Sequence, residues 1–199
     1  MRLTIAIFLC LGWMAFAAPQ AFAQPDYEIS GTLYTSLKQA MASPDSVTRL
    51  KLKRKGLTEI PPEVFNFSNL QELDLGSNKI QNLPSNLGEL KNLKILRLNR
   101  NKINEVGKEI GNLSNLIYLD LGHNQIQALP FEIGNLKNLE FLQIWGNEVT
   151  MLPESINELT ALKWLDMRAI LLTESERENL LEQLPQTEVL ISPGCNCGK

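Results

Sequence analysis

The chain has 199 residues, with 19 lysines and arginines against 22 aspartates and glutamates and a formal charge of −3. That balance gives no general attraction to nucleic acid or to an anionic membrane. Its three cysteines are too few for a scaffold stapled by disulfides.

In chain order, Met1-Arg2 is followed by an uncharged run from Leu3 to Ala18. Next comes Pro19-Gln20-Ala21-Phe22-Ala23, whose Ala-x-Ala ending fits a signal-peptidase site before Gln24. The run is shorter than the roughly 20 apolar residues a membrane span requires. Residues 1–23 therefore read as a signal peptide, and the rest as a secreted, cell-surface or periplasmic chain with no membrane span. Loss of Arg2 moves the charge from −3 to −4.

Residues 24–46 read as an N-terminal cap. Ser36 and Gln39 fit an S-x-x-Q capping box that opens a short helix running to about Ala42, which Pro44 ends. Residues 47–172 are an array of six units, starting at Val47, Leu70, Leu93, Leu116, Leu139 and Leu162, each 23 residues after the last. Asn78, Asn101, Asn124 and Asn147 share the ninth position, inside segments of the form L-x-x-L-x-L-x-x-N-x-I/V. The fourth and sixth positions are apolar in every unit, as in Leu96 and Leu98, so a short strand points both into the core and turns positions three, five and seven outward.

The second half of a unit reads apolar-Pro-x-x-apolar-Gly-x-apolar, as in Leu129, Pro130, Ile133, Gly134 and Leu136. That pattern carries the chain back by turns rather than by a long helix. Stacking unit on unit makes one continuous core. Inside it, an amide that donates and accepts can satisfy the free backbone groups of its own turn and of the neighbouring unit, which gives the four asparagines a structural role. Gly107 stands in place of the proline, Phe65 and Asn157 in place of the glycine, and Lys55 and Ile170 in place of the asparagine.

Residues 173–192 form a C-terminal cap. Thr173-x-x-Glu176 is a second capping box, leading a helix with Leu180, Leu181 and Leu184, then Pro185 and a final strand through Val189, Leu190 and Ile191. The tail, residues 193–199, holds Cys195 and Cys197. A bridge between residues two apart is strained, so the two thiols could pair between chains, hold a metal with outside ligands, or have no role.

The segment from Leu129 to Leu139, LPxxIGNLKNL in outline, and the stretch Leu70 to Asn78 resemble the 23-residue class of leucine-rich repeat (LRR) proteins. The resemblance covers residues 47–172 and implies an α/β solenoid. That is a horseshoe with a parallel concave sheet of about six units and helical caps at both ends. Such units abound in secreted or surface proteins of spirochaetes and of the Bacteroidetes group, and similar ones occur in Ras-pathway scaffolds and plant intracellular relatives. The resemblance thus implies a bacterial, exported protein, and both end segments are similar to the caps of the bacterial members.

Nothing argues for an enzyme, a cofactor or a metal. His123 is the sole histidine, and no nucleophile–base pair or phosphate-binding glycine loop is present. Asp120 and Asp166, two strands apart and so about 9 to 10 Å, would suit an inverting glycosidase by distance, but a concave sheet supplies no cleft to raise one carboxyl pKa. Outward residues form columns. The fifth positions are Lys51, Asp74, Arg97, Asp120, Gln143 and Asp166, whose alternating charges predict cross-strand pairs. Arg49, Lys51, Lys53 and Arg54 read as a solvated cap edge, with Lys51 facing Asp74.

The third positions are Arg49, Glu72, Ile95, Tyr118, Phe141 and Trp164, with Trp145 beside them. Four aromatics gathered on one half of the concave face, with Arg97, Arg100, Asp120, His123, Asp166 and Arg168 as a rim, predict a partner surface. The residues expected to bind are Tyr118, Phe141, Trp145, Trp164, Arg97, Asp120 and Arg168. The expected partner is a protein or peptide, with a glycan as runner-up. The alternatives are aromatic stacking that only stabilises the sheet, a C-terminal tail folded over it, or a structural spacer without a ligand.

Overall fold

The computed structural model describes residues 29–192. The expected signal peptide and the cysteine tail lie outside those residues.

The units build one parallel sheet of eight strands in strict sequence order. They are β1 (Leu33–Tyr34), β2 (Arg49–Lys51), β3 (Glu72–Asp74), β4 (Ile95–Arg97), β5 (Tyr118–Asp120), β6 (Phe141–Gln143), β7 (Trp164–Met167) and β8 (Glu188–Ile191). Each repeat strand pairs third position to third and fifth to fifth, as in Ile95 with Tyr118 and Arg97 with Asp120. The outward columns are therefore real columns. Strand β1 was not anticipated, because it is two residues long and precedes the periodic array; it extends the sheet by pairing Leu33 with Arg49.

Returns are short 3-10 turns: Pro62–Asn66, Ser85–Glu89, Lys108–Asn112, Phe131–Asn135 and Glu154–Glu158. A tight return lets successive units nest, and the nesting is closest at the return glycines. A Cβ on Gly88, Gly111 or Gly134 would stand 2.7, 2.4 or 2.6 Å from a carbonyl oxygen of the next unit. The two units lacking that glycine escape the collision for separate reasons. At Phe65 the first two returns pack less closely than the others do, and in the unit beyond Asn157 the helix α2 (Glu174–Gln183) stands where a return would be.

Leucines and isoleucines from every unit merge into a single core that runs from Ala40 to Leu184, with Phe67 taking the place of a leucine in the first return. At the C-terminal end the predicted capping box forms. Thr173 Oγ1 accepts the N–H of Glu176 at 3.3 Å, and Glu176 Oε2 accepts the N–H of Thr173 at 2.7 Å. The N-terminal box does not form: Ser36 precedes a single turn, α1 (Leu37–Ala40), with no side-chain cap. Gln39, a neutral amide, gains less from a helix N-terminus than the carboxylate of Glu176 does. Pro44 opens a 3-10 turn, Pro44–Ser46, rather than only ending a helix.

The loop after each strand has a conformation that periodicity did not disclose. The eighth position is left-handed in all six units, at φ 58° for Arg54, 56° for Ser77, 57° for Arg100, 59° for His123, 65° for Gly146 and 60° for Ala169. The turn throws the ninth residue inward, where the asparagines sit. Asn124 Nδ2 donates to Leu98 O at 3.1 Å and Leu121 O at 2.8 Å, while its Oδ1 accepts from Ile103 N at 3.1 Å. Asn78, Asn101 and Asn147 repeat the pattern.

A second ladder runs along the outside. Asn69, Asn92, Asn115 and Asn138, at the last position of successive units, each donate to a backbone carbonyl at 2.8 to 2.9 Å, Asn69 to Asp45 O of the N-terminal cap and the other three to the preceding unit. Their spacing of 23 residues was visible in the sequence.

Candidate concave recognition site

The N-terminal half of the concave face is a closed charge network. Glu72 on β3 takes Arg49 Nε at 2.7 Å on one oxygen and Arg97 Nη1 at 2.8 Å on the other. Lys51 faces Asp74 across the strands at 4.0 Å, as the column predicted. Arg97, however, pairs with Glu72 rather than with the aspartates of its own column. Asp74 and Asp120 turn back to their own loops, where they accept the N–H of Gly76 at 2.9 Å and of Gly122 at 3.0 Å. A short acidic side chain finds a backbone donor two residues on more readily than a partner across the sheet.

Arg97 also joins the charged half to the aromatic half. Its guanidinium carbon lies 5.1 Å from the centroid of the Tyr118 ring, within cation–π range. The Tyr118 hydroxyl donates to Gln143 Oε1 at 3.1 Å, and the ring meets Phe141 at a centroid distance of 6.3 Å, tilted by 31°. Tyr118 is not an open aromatic: it is 1% exposed. Its cover comes from an unexpected place. Ile29, ahead of β1, packs with Ile95 and Tyr118 against the side of Phe141.

Burial shapes the titration here. It holds the Tyr118 phenol far above its ordinary range, with the Asp120 charge as the next cause. Burial likewise pushes the Asp120 carboxyl up to about 6, against the lowering effects of the Gly122 N–H and of Arg97. Asp120 is 2% exposed. This corrects the expectation that a concave sheet cannot raise a carboxyl pKa: burial beneath the strands is enough, without a cleft.

Phe141, Trp145 and Trp164 are half-buried. The Trp145 indole lies over Gly122, where a Cβ would come within 2.3 Å of its Nε1, and it stacks on His123 at 5.6 Å and 30°. Arg168 is exposed and clamps Asp166 through two bonds, of 2.9 and 2.7 Å. The seven residues singled out from the sequence thus share one face but fall into two sets. Tyr118 and Asp120 are buried and form an inner layer with the half-buried Arg97, whereas Phe141, Trp145 and Trp164 are half-buried above it and Arg168 is exposed. Sequence reasoning missed Ile29 and the bridging role of Glu72. No periodic signal marks Ile29, which precedes the array.

Among the described residues no group of three or more His, Cys, Asp or Glu could hold a metal ion, and no helix is long and apolar enough to cross a membrane.

Comparison with known proteins agrees with this geometry. A family model for a leucine-rich repeat region matches residues 102–191, and a leucine rich repeat model matches residues 45–103. Fold and matches together define the chain as a leucine-rich repeat solenoid. Among solved structures it is similar to a leucine-rich repeat protein of Leptospira interrogans, at 32% identity and a TM-score of 0.57 over 73% of this chain and 44% of that one. It is also similar to the plant peptide hormone receptor RGFR1, solved in complex with RGF2, at 33% identity and a TM-score of 0.62 over 74% of this chain and 24% of the receptor. A third is the ectodomain of the receptor kinase GASSHO1/SCHENGEN3 from Arabidopsis thaliana, in complex with CASPARIAN STRIP INTEGRITY FACTOR 2, at 26% identity and a TM-score of 0.53 over 66% and 16%. The chain spans less than half the length of each of these proteins. No curated protein matches it.

Proposed function

We propose that the chain is an exported, non-catalytic recognition module that takes a protein or peptide partner on its concave face. One observation carries the reading: Phe141, Trp145 and Trp164 stand half-open beside a charged inner layer. Aromatic anchors ringed by charge are the composition of interface cores, and repeat solenoids use their concave surfaces for binding. Two of the similar structures are receptors solved with a bound partner, which supports a protein or peptide ligand for the same scaffold here. Export rests on the Ala21-Phe22-Ala23 signal. Arg97, Asp120 and Tyr118 act as the rigid floor of the site, while Arg168 supplies charge at its edge.

The test is an affinity capture from cell-surface extract, run beside a glycan array, with the chain from Gln24 onward and its Phe141→Ala/Trp164→Ala variant. Tyr118 is left intact because its buried ring holds the floor together. A protein captured by the first chain and lost by the folded variant supports the reading. Equal capture by both, or capture by neither, overturns it.

A further inference from the structure

The concave face is partly filled by the chain itself. Ile29 stands four residues before β1, and four extended residues span at most about 13 to 14 Å, close to the three strand spacings of about 4.8 Å that separate β1 from β4. The segment is thus drawn out across β2 and β3 to set one aliphatic side chain among Ile95, Tyr118 and Phe141. It is pinned on the way: Ser30 O accepts from Thr48 Oγ1 at 3.0 Å. Gly31 makes the crossing at φ 108°, where a Cβ would lie 2.3 Å from that same hydroxyl oxygen. Where the charged network of Arg49, Glu72 and Arg97 ends, Ile95, Tyr118 and Phe141 make an apolar patch, and Ile29 packs against it.

We propose that Ile29 is an intramolecular occupant of the binding face. The segment Ile29–Thr32 shuts an aliphatic subsite that a partner opens by offering, on an extended stretch of its own chain, a β-branched aliphatic residue followed by small residues. This rests on the concave recognition reading and makes it more specific. A tethered segment competes at an effective concentration in the millimolar range, so a free peptide sees the subsite only in the fraction of molecules whose segment has lifted.

The experiment uses the whole chain from Gln24 onward in three forms: wild type, Ile29→Ser, which empties the subsite, and Gly31→Ala, which disfavours the crossing. The probe is a synthetic peptide of this chain's own residues 26–32, titrated while the Tyr118 and Phe141 ring signals are followed by NMR. In the wild type, the Ile29 methyl groups should show contacts to the Tyr118 ring. Both variants should bind the peptide about tenfold to a hundredfold more tightly than the wild type, the range that burying one isoleucine provides. The same peptide with serine for isoleucine should bind none of them.

Equal affinity for all three forms, absence of the methyl–ring contact in the wild type, or no ring shifts with any form would overturn the proposal. Partner capture by the three forms separates this idea from the one beneath it. Equal capture by all three, lost on Phe141→Ala/Trp164→Ala, keeps the concave reading and overturns the occupant. Peptide binding as expected with no capture by any form overturns the partner reading and keeps the occupant.

Discussion

Asp120 spends its carboxylate on its own loop, accepting the Gly122 N–H at 3.0 Å instead of meeting the guanidinium of Arg97. The charge is left buried beneath the concave surface with one backbone donor to hold it, and the carboxyl titrates near 6 rather than near 4.

A folded-state pKa above the unfolded one means that the folded chain binds the extra proton between pH 4 and 6, so this group's contribution to stability falls as pH rises through that window. From the ordinary aspartate value of 3.8 to about 6 the cost of the charged form at neutral pH is about 3 kcal/mol. Asp120→Asn keeps an oxygen for Gly122 and removes the charge. It should raise stability at pH 7.5 by about 1 to 3 kcal/mol, with the gain vanishing below pH 4. Urea unfolding of both chains at pH 7.5 and pH 4 checks this, and an equal gain at both values would refute burial as the cause.

The inner and outer asparagines should differ in weight. Asn124→Ala strips one acceptor and two donors from buried backbone and is expected to cost about 2 to 4 kcal/mol. Asn115→Ala removes a single exposed bond to Lys91 O and should cost about 0.5 to 1 kcal/mol. Denaturant midpoints for the two variants, compared at constant slope, give the answer.

Two glycines should fail in opposite ways. Gly111→Ala drives a Cβ against Glu132 O, a rigid backbone atom at 2.4 Å, and should cost about 1 to 3 kcal/mol. Gly122→Ala meets only the edge of the Trp145 side chain, which can swing away. The expected result is a shift in tryptophan emission as the indole leaves His123, with less loss of stability than Gly111→Ala causes.

The left-handed eighth position predicts a third contrast. Arg100 holds φ at 57° with a side chain that L-residues carry poorly there, so Arg100→Gly should stabilise, or cost nothing. At Gly146 there is room for a Cβ, the nearest atom being His123 Cα at 3.6 Å. Gly146→Ala should therefore show the bare backbone penalty of about 1 to 2 kcal/mol. Thermal melts resolve both.

What the chain showed before folding was whatever recurs. The strands, the tight returns and the cross-strand register follow from one spacing, because parallel stacking converts a 23-residue period into contact between equal positions. Asn92 and Asn115 were equally periodic, but polar residues beside exposed turns look like ordinary solvated surface. Non-repeating parts were harder to read. Ser36 carried the right motif without forming the cap, and β1 is too short for any alternation to register. Tyr118 was placed on the correct face yet assigned the wrong exposure, since its cover comes from Ile29, a residue remote from it in sequence and outside every unit.

That last contact has a consequence for the array as a whole. Each ladder bond reaches only to an adjoining unit, so nothing in the repeats themselves records how many there are. A block could be copied or lost and its neighbours would join as before. Among the described residues Ile29 reaches across several units at once, and its reach is fixed by the few residues that tie it to β1. It works as a ruler. One unit inserted between β2 and β4 would carry Ile95 and Tyr118 beyond its grasp, so in this molecule the N-terminal segment keeps the count.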